Sequence, residues 1–183
     1  MRIPSKAHRL LTLSQLCLYL GLAVSVLLLP EGLTVDHGMS YFGNSGRTLV
    51  PHVFGLVSSG ALAWYAARFL TEPALKPLRR SLQMFSLLTL GLAVTPSMYD
   101  ERFSLVHKTF GSLLFTLQFG TAIWIMAITK RDPVKMVLFI VLLVAGTLCA
   151  LYLKPVSGYL LQSQVVFQLA FGLLILRSFP PND

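Results

Sequence analysis

Apolar residues gather in six stretches along this chain, at 10–30, 49–70, 80–97, 106–129, 134–153 and 160–177, with short polar segments between them. A helix needs about 20 apolar residues to cross a bilayer. Backbone groups inside hydrocarbon must bond within their own segment, so spans of this kind are helices. The pattern predicts an all-α polytopic membrane protein, one domain over 1–183 with six transmembrane helices. The stretch 80–97 is the shortest, and Pro96 is expected to end it, because proline cannot continue a helix ladder. The first run, Leu10 to Leu29, is too long for a signal-peptide core and lacks a small-residue exit, so it reads as a span.

Composition agrees. Hydrophobic residues make up 55% and charged residues 12% of the 183 positions, against about 25% charged in an ordinary globular domain. So apolar a chain of this length needs lipid as part of its solvent. The two cysteines, Cys17 and Cys149, sit inside apolar runs without metal-ligand spacing. They read as packing residues rather than a disulfide or thiolate site.

The charges set an orientation. Eleven of the 15 Lys and Arg fall before the first span, in the second and fourth loops, or at the end of the last span; four (Arg47, Arg102, Lys108, Lys154) fall on the opposite side. The richer side is expected to be cytoplasmic, which gives N-in/C-in topology in a cell membrane. Glu31, Asp36, Asp100 and Glu101 fall outside and leave the outer rim near neutral. A basic inner rim suits anionic lipid headgroups, and basic residues spread over short loops give no reason to expect nucleic acid. Trp64, Tyr65 and Trp124, near inner helix ends, read as interfacial anchors.

A weak repeat runs at an offset of 60. Gly60, Trp64, Ala67, Glu72 and Pro73 recur as Gly120, Trp124, Ala127, Asp132 and Pro133. It is compatible with a parallel repeat of helices 2–3 and 4–5, or with generic features shared by spanning helices. Ser59, Ala63 and Ala67 line one face of helix 2 for close helix packing.

No Asp or Glu lies at mid-depth in any stretch, which argues against a pump or coupled transporter built on buried carboxylates. Uncharged polar groups are more common: Gln83, Ser86 and Thr89 in helix 3, Thr109, Ser112, Thr116 and Gln118 in helix 4, Gln162, Gln164 and Gln168 in helix 6. They read as interhelical hydrogen bonds or as the lining of a polar pocket. The outer side collects the titratable groups. Loop 1 carries Asp36, His37, Ser40, Tyr41 and Arg47, His52 follows Pro51 at the head of helix 2, loop 3 carries Tyr99 and Asp100, and His107 and Lys108 open helix 4. These ten residues are the candidate ligand-binding set. They suit a folded outer cap, a pocket for a lipid or small amphiphile, or a zinc site on His37, His52 and His107 with Asp36 or Asp100. A haem between His52 and His107 is a fourth option. No HxxxH or HExxH motif supports the metal reading, so neither metal nor cofactor is expected. Loop 1 is long for a helix connection, and Ser40-Tyr41-Phe42 is too aromatic for a bare linker. It is expected to fold back over the helix ends.

The long first span, "MSYFGN", the early Pro51 and His107 at the head of helix 4 together resemble a prokaryotic six-span family, the domain-of-unknown-function family 998. That family is in turn distantly similar to the eukaryotic Frag/DRAM/Sfk group. The resemblance implies a fold and an outer site around Ser40 and His107, not a reaction. Where the family loop reads Ser-Asp-Leu-Gly, this chain has Ser40-Tyr41-Phe42-Gly43, so the acidic position is missing. The substrate-binding subunits of energy-coupling-factor vitamin transporters are also similar in span number, length and charge. They carry a small-residue face in helix 1, which Gly21 and Ser25 match in spacing. Three functions follow as expectations: a non-enzymatic membrane protein binding a lipid or small amphiphile at its outer face, a transporter subunit with a partner membrane protein, and a membrane-embedded metal-dependent hydrolase.

Overall fold

The computed structural model describes residues 1–33, 38–95, 101–130, 132–151 and 159–182. Among these are six long helices: α1 (Ser5–Leu28), α2 (Leu49–Ala67), α3 (Lys76–Val94), α4 (Glu101–Ile128), α5 (Pro133–Leu151) and α6 (Leu160–Ser178). Five of them are long and apolar enough to cross a membrane; α3 is the exception. Its first turns, Lys76-Pro77-Leu78-Arg79-Arg80, are polar. Helices α1, α3 and α4 start four or five residues before the apolar stretches that announce them, because Lys and Arg can occupy a first turn and carry their charge out to water. At its other end α3 stops at Val94, and Thr95 leaves the helical region at φ −119°, ψ 69°, as the residue before Pro96 is disposed to do.

Helices α1, α2, α3, α4 and α6 close into a ring, and α5 packs outside it on α6. The α1–α2 seam is the tightest. A Cβ placed on Gly21 would lie 2.6 Å from the Pro51 carbonyl and 2.8 Å from the Gly55 Cα. The two backbones therefore touch, and the Ser14 hydroxyl donates to the Ser59 carbonyl across the same seam at 2.9 Å. Apolar side chains gain little from leaving lipid for a helix neighbour, so small residues and interhelical hydrogen bonds do the joining. The Ser86 hydroxyl donates to the Gly60 carbonyl at 2.6 Å and fixes α3 to α2. Ser81 and Thr121 join α3 to α4. Gln118 and Gln168 exchange two amide hydrogen bonds, at 2.8 and 3.0 Å, between α4 and α6. Thr109 and Thr116 instead donate to carbonyls of their own helix.

The helices of the offset-60 repeat do not pack alike. α2 lies along α3, whereas α5 packs mainly on α6 and only lightly on α4. Asp132 starts α5 as an N-cap, accepting the Val134 N–H at 2.9 Å, with Pro133 at the first helical position. The buried Lys135 ammonium donates to Thr129 Oγ1 and the Lys130 carbonyl at the end of α4, where a cation offsets the helix dipole.

The segments flanking the bundle meet each other. The Ile3 N–H donates to the Pro180 carbonyl at 3.0 Å, and the Asn182 N–H returns to the Ile3 carbonyl at 2.8 Å. We call this the clasp end. The largest apolar core, including Ile3, Leu70, Leu78, Ile125, Leu174 and Phe179, lies toward it. Outside the core, large side chains such as Leu13, Leu16, Leu20 and Leu27 on α1, or Val137, Ile140, Val144 and Leu148 on α5, are exposed. Such continuous apolar surface belongs against lipid rather than water. The chain is an all-helical membrane protein.

Candidate functional site

The opposite end is covered by loop 1. Two short 3-10 turns, Pro30–Leu33 and Met39–Gly43, fold back over the ends of α1, α2 and α6. Phe42 anchors them. It is fully buried between Leu22 of α1 and Leu161 of α6, and Gly32 lets the chain pass beside its ring, since a Cβ there would be 2.6 Å from it. Polar groups fix the rest. The Thr48 hydroxyl donates to the Phe42 carbonyl at 2.6 Å. The Met39 N–H donates to Gln164 Oε1 at 2.7 Å, and Gln162 Nε2 donates to the Leu33 carbonyl at 3.1 Å. Gln162 and Gln164 therefore tie the loop to α6, a role that reading them as span residues missed. Their signal was position, since both fall in the first turns of α6 at the loop's end of the bundle.

Of the ten candidate residues, Asp36, His37, Tyr99 and Asp100 lie outside the described residues. Ser40 and Tyr41 are half-buried on the second turn, with Tyr41 edge-on to Phe42 at 5.9 Å between ring centroids. Arg47 and Lys108 are exposed. His52 and His107 are both half-buried at the loop-covered end. His52 lies under the turn at Gly43, where a Cβ would be 3.2 Å from its ring. His107 Nδ1 is 2.6 Å from the Thr95 carbonyl and ties the head of α4 to the end of α3. A neutral His107 with its proton on Nδ1 donates there and leaves Nε2 as an acceptor. Among the described residues no three His, Cys, Asp or Glu gather as a metal ion would need. The other ligands of the zinc reading, His37 with Asp36 or Asp100, fall outside the described residues.

A second feature, which the sequence does not announce, lies toward the clasp end on the α3–α4 seam. It is an open groove of about 570 Å³. Met84 and Leu88 of α3 and Leu113 and Leu117 of α4 form its walls, with Arg80 and Trp124 also lining it. Gly120 faces it, and a Cβ added there would meet nothing within 4 Å. Its repeat partner Gly60 is pressed against Ser86, where a Cβ would lie 3.4 Å from that residue's carbonyl. Trp124 stacks on Phe179 at 6.2 Å, so it is a wall of this groove as well as a residue of interfacial type.

No protein-family model, curated protein or solved structure matches this chain.

Proposed function

We propose that this is a non-catalytic membrane protein that crosses a cell membrane six times with both ends cytoplasmic, and that binds a lipid or small amphiphile at the end covered by loop 1. The observation that carries the binding role is the placement of His52 under the Gly43 turn and of His107 at the head of α4, bonded to the end of α3, both half-buried at the loop-covered end. They put two imidazoles at the mouth of a bundle whose apolar stretches hold no carboxylate at mid-depth. The likeness to family 998 belongs to the same proposal. Six crossings are supported by parity. Ile3 pairs with Pro181, so the chain enters and leaves the bundle on one face, which supports an even number of crossings. Five helices qualify by apolarity. The sixth is then α3, which lies antiparallel to α4 from Ser81–Thr121 to Thr95–His107. The distribution of Lys and Arg supports the orientation.

Native mass spectrometry from mild detergent tests the role. The expected result is that changing both His52 and His107 to Ala removes one lipid-sized adduct from those the wild-type chain carries; a double variant that keeps every adduct defeats the reading. A wild-type chain with no adduct defeats the reading. For topology, a cysteine at Ser45 in a background lacking Cys17 and Cys149 should react with an impermeant reagent added outside. The transporter-subunit reading draws less support, because Gly21 and Ser25 are buried within this chain, with Gly21 against α2, rather than left open for a coupling partner.

A further inference from the structure

We propose that the α3–α4 groove is a binding site for one anionic membrane lipid, with its acidic headgroup on Arg80 and an acyl chain lying along the seam over Gly120. The site is separate from the loop-covered end and does not depend on the role proposed there.

Three observations meet in it. The first is charge. Arg80 lines the groove and is exposed, and among the described residues no carboxylate pairs with it. Lys76 and Arg79 lie on the same first turns of α3 and are exposed as well. The Ser81 and Thr121 hydroxyls are bonded to each other, and Thr121 also donates to the Leu117 carbonyl. They close the seam, and the guanidinium is left to meet an anion.

The second observation is shape. From Trp124 to Leu113 the groove follows twelve residues of α4, about 16 Å at 1.5 Å per step, between walls of Met, Leu and Trp. Its volume is that of a small-ligand pocket. A helix of equal length, 10–12 Å across, has roughly two to three times that volume, so an acyl chain fits better than a partner helix.

The third observation is Gly120. Glycine inside a helix costs about 1 kcal/mol relative to alanine, and here no neighbouring helix presses on it. Packing gives no reason for a glycine at this position, whereas it does at Gly60. Its missing side chain is what keeps the groove deep.

Trp124 makes the test direct, because the chain has only two tryptophans. In a Trp64→Phe background Trp124 is the sole indole. The protein is reconstituted in phosphatidylcholine vesicles containing a small fraction of phosphatidylglycerol with a brominated acyl chain, or phosphatidylcholine carrying the same chain. Phosphatidylglycerol is expected to quench Trp124 with about fivefold higher apparent affinity, as for one cation near a membrane surface. Arg80→Gln should bring the two lipids within about twofold of each other. Gly120→Leu should lower maximal quenching by both lipids while leaving elution and thermal unfolding unchanged. Equal quenching by the two headgroups in the Trp64→Phe protein overturns the proposal, as does a preference that survives Arg80→Gln. Quenching that disappears as the protein-to-lipid ratio rises would assign the groove to a second copy and overturn it too. His52→Ala and His107→Ala should leave all these readings unchanged.

Discussion

The two ends of the bundle are closed by different physics. At the clasp end a large apolar core runs between all six helices, and two backbone hydrogen bonds join the flanking segments. At the loop end the buried core shrinks to Leu22, Phe42 and Leu161, and hydrogen bonds from Thr48, Gln162 and Gln164 do most of the fastening. The first arrangement spreads its stability over many side chains. The second concentrates it in one ring and a few polar contacts. The consequence is that a single substitution can loosen the loop end, while the clasp end gives way only to changes that force helices apart.

The most damaging test of this contrast is Phe42→Ala. It should cost about 3 kcal/mol, the usual loss for a buried phenylalanine, measured by denaturant unfolding in detergent, and proteolysis should become faster within loop 1. An unchanged midpoint would mean that the loop is not anchored by its ring. Next comes Gly60→Leu against Gly120→Leu. The first overpacks the α2–α3 seam against Ser86 and should cost about 2 kcal/mol; the second enters open groove and should change stability by less than about 0.5 kcal/mol. Equal costs would show that other side chains of the protein, rather than lipid or open space, fill the groove. At mid-bundle, Gln118→Leu or Gln168→Leu alone strands the other amide and should cost about 1 kcal/mol. The double variant should recover most of that loss, and a double-mutant cycle reads the coupling.

The smallest effect concerns pH. The Val134 N–H holds the Asp132 carboxyl below its ordinary 3.8, with Arg177 and Lys135 adding to the effect and partial desolvation opposing it. A carboxyl whose folded value is depressed contributes stability above its ordinary value and loses it as pH falls through the folded one. The thermal midpoint should therefore drop below about pH 3.8, and Asp132→Asn should flatten that part of the profile slightly. Because the Asp132–Arg177 pair is exposed, the change is small.

Much of the bundle was legible from apolar run length. The ends of the six stretches lie within five residues of the ends of the six helices, and the Gln118–Gln168 pair and the folded loop around Phe42 correspond to features the residue types already suggested. What the sequence hid depends on which neighbours a helix meets. Gly60 and Gly120 are equivalent in the string, yet one is a contact and the other faces open space. Arg80 reads as one more cytoplasmic charge, because nothing in its local sequence shows that the seam between α3 and α4 opens beside it. The six stretches are visible as apolar runs, but α3's polar first turns leave it less apolar than the five helices that are fit to cross a membrane. Of the candidate site, the placement of His52 and His107 at one end of the bundle is visible in their position at the heads of α2 and α4, whereas the hydrogen bond of His107 to the Thr95 carbonyl depends on how α3 and α4 pack.

The clasp has a further consequence for biogenesis. It joins the segment before α1 to the segment after α6, and the packing of Gln15 on Gly172 joins the two helices themselves. The ring cannot close until α6 has left the ribosome and entered the membrane. Until then α1 can pair with α2 through Gly21 and Gly55, but its α6-facing side stays open to lipid. Assembly of this bundle is thus a long-range event in the sense of contact order, timed by the synthesis of α6, and a ribosome stalled before Leu160 would leave the ring unclosed for quality control to find.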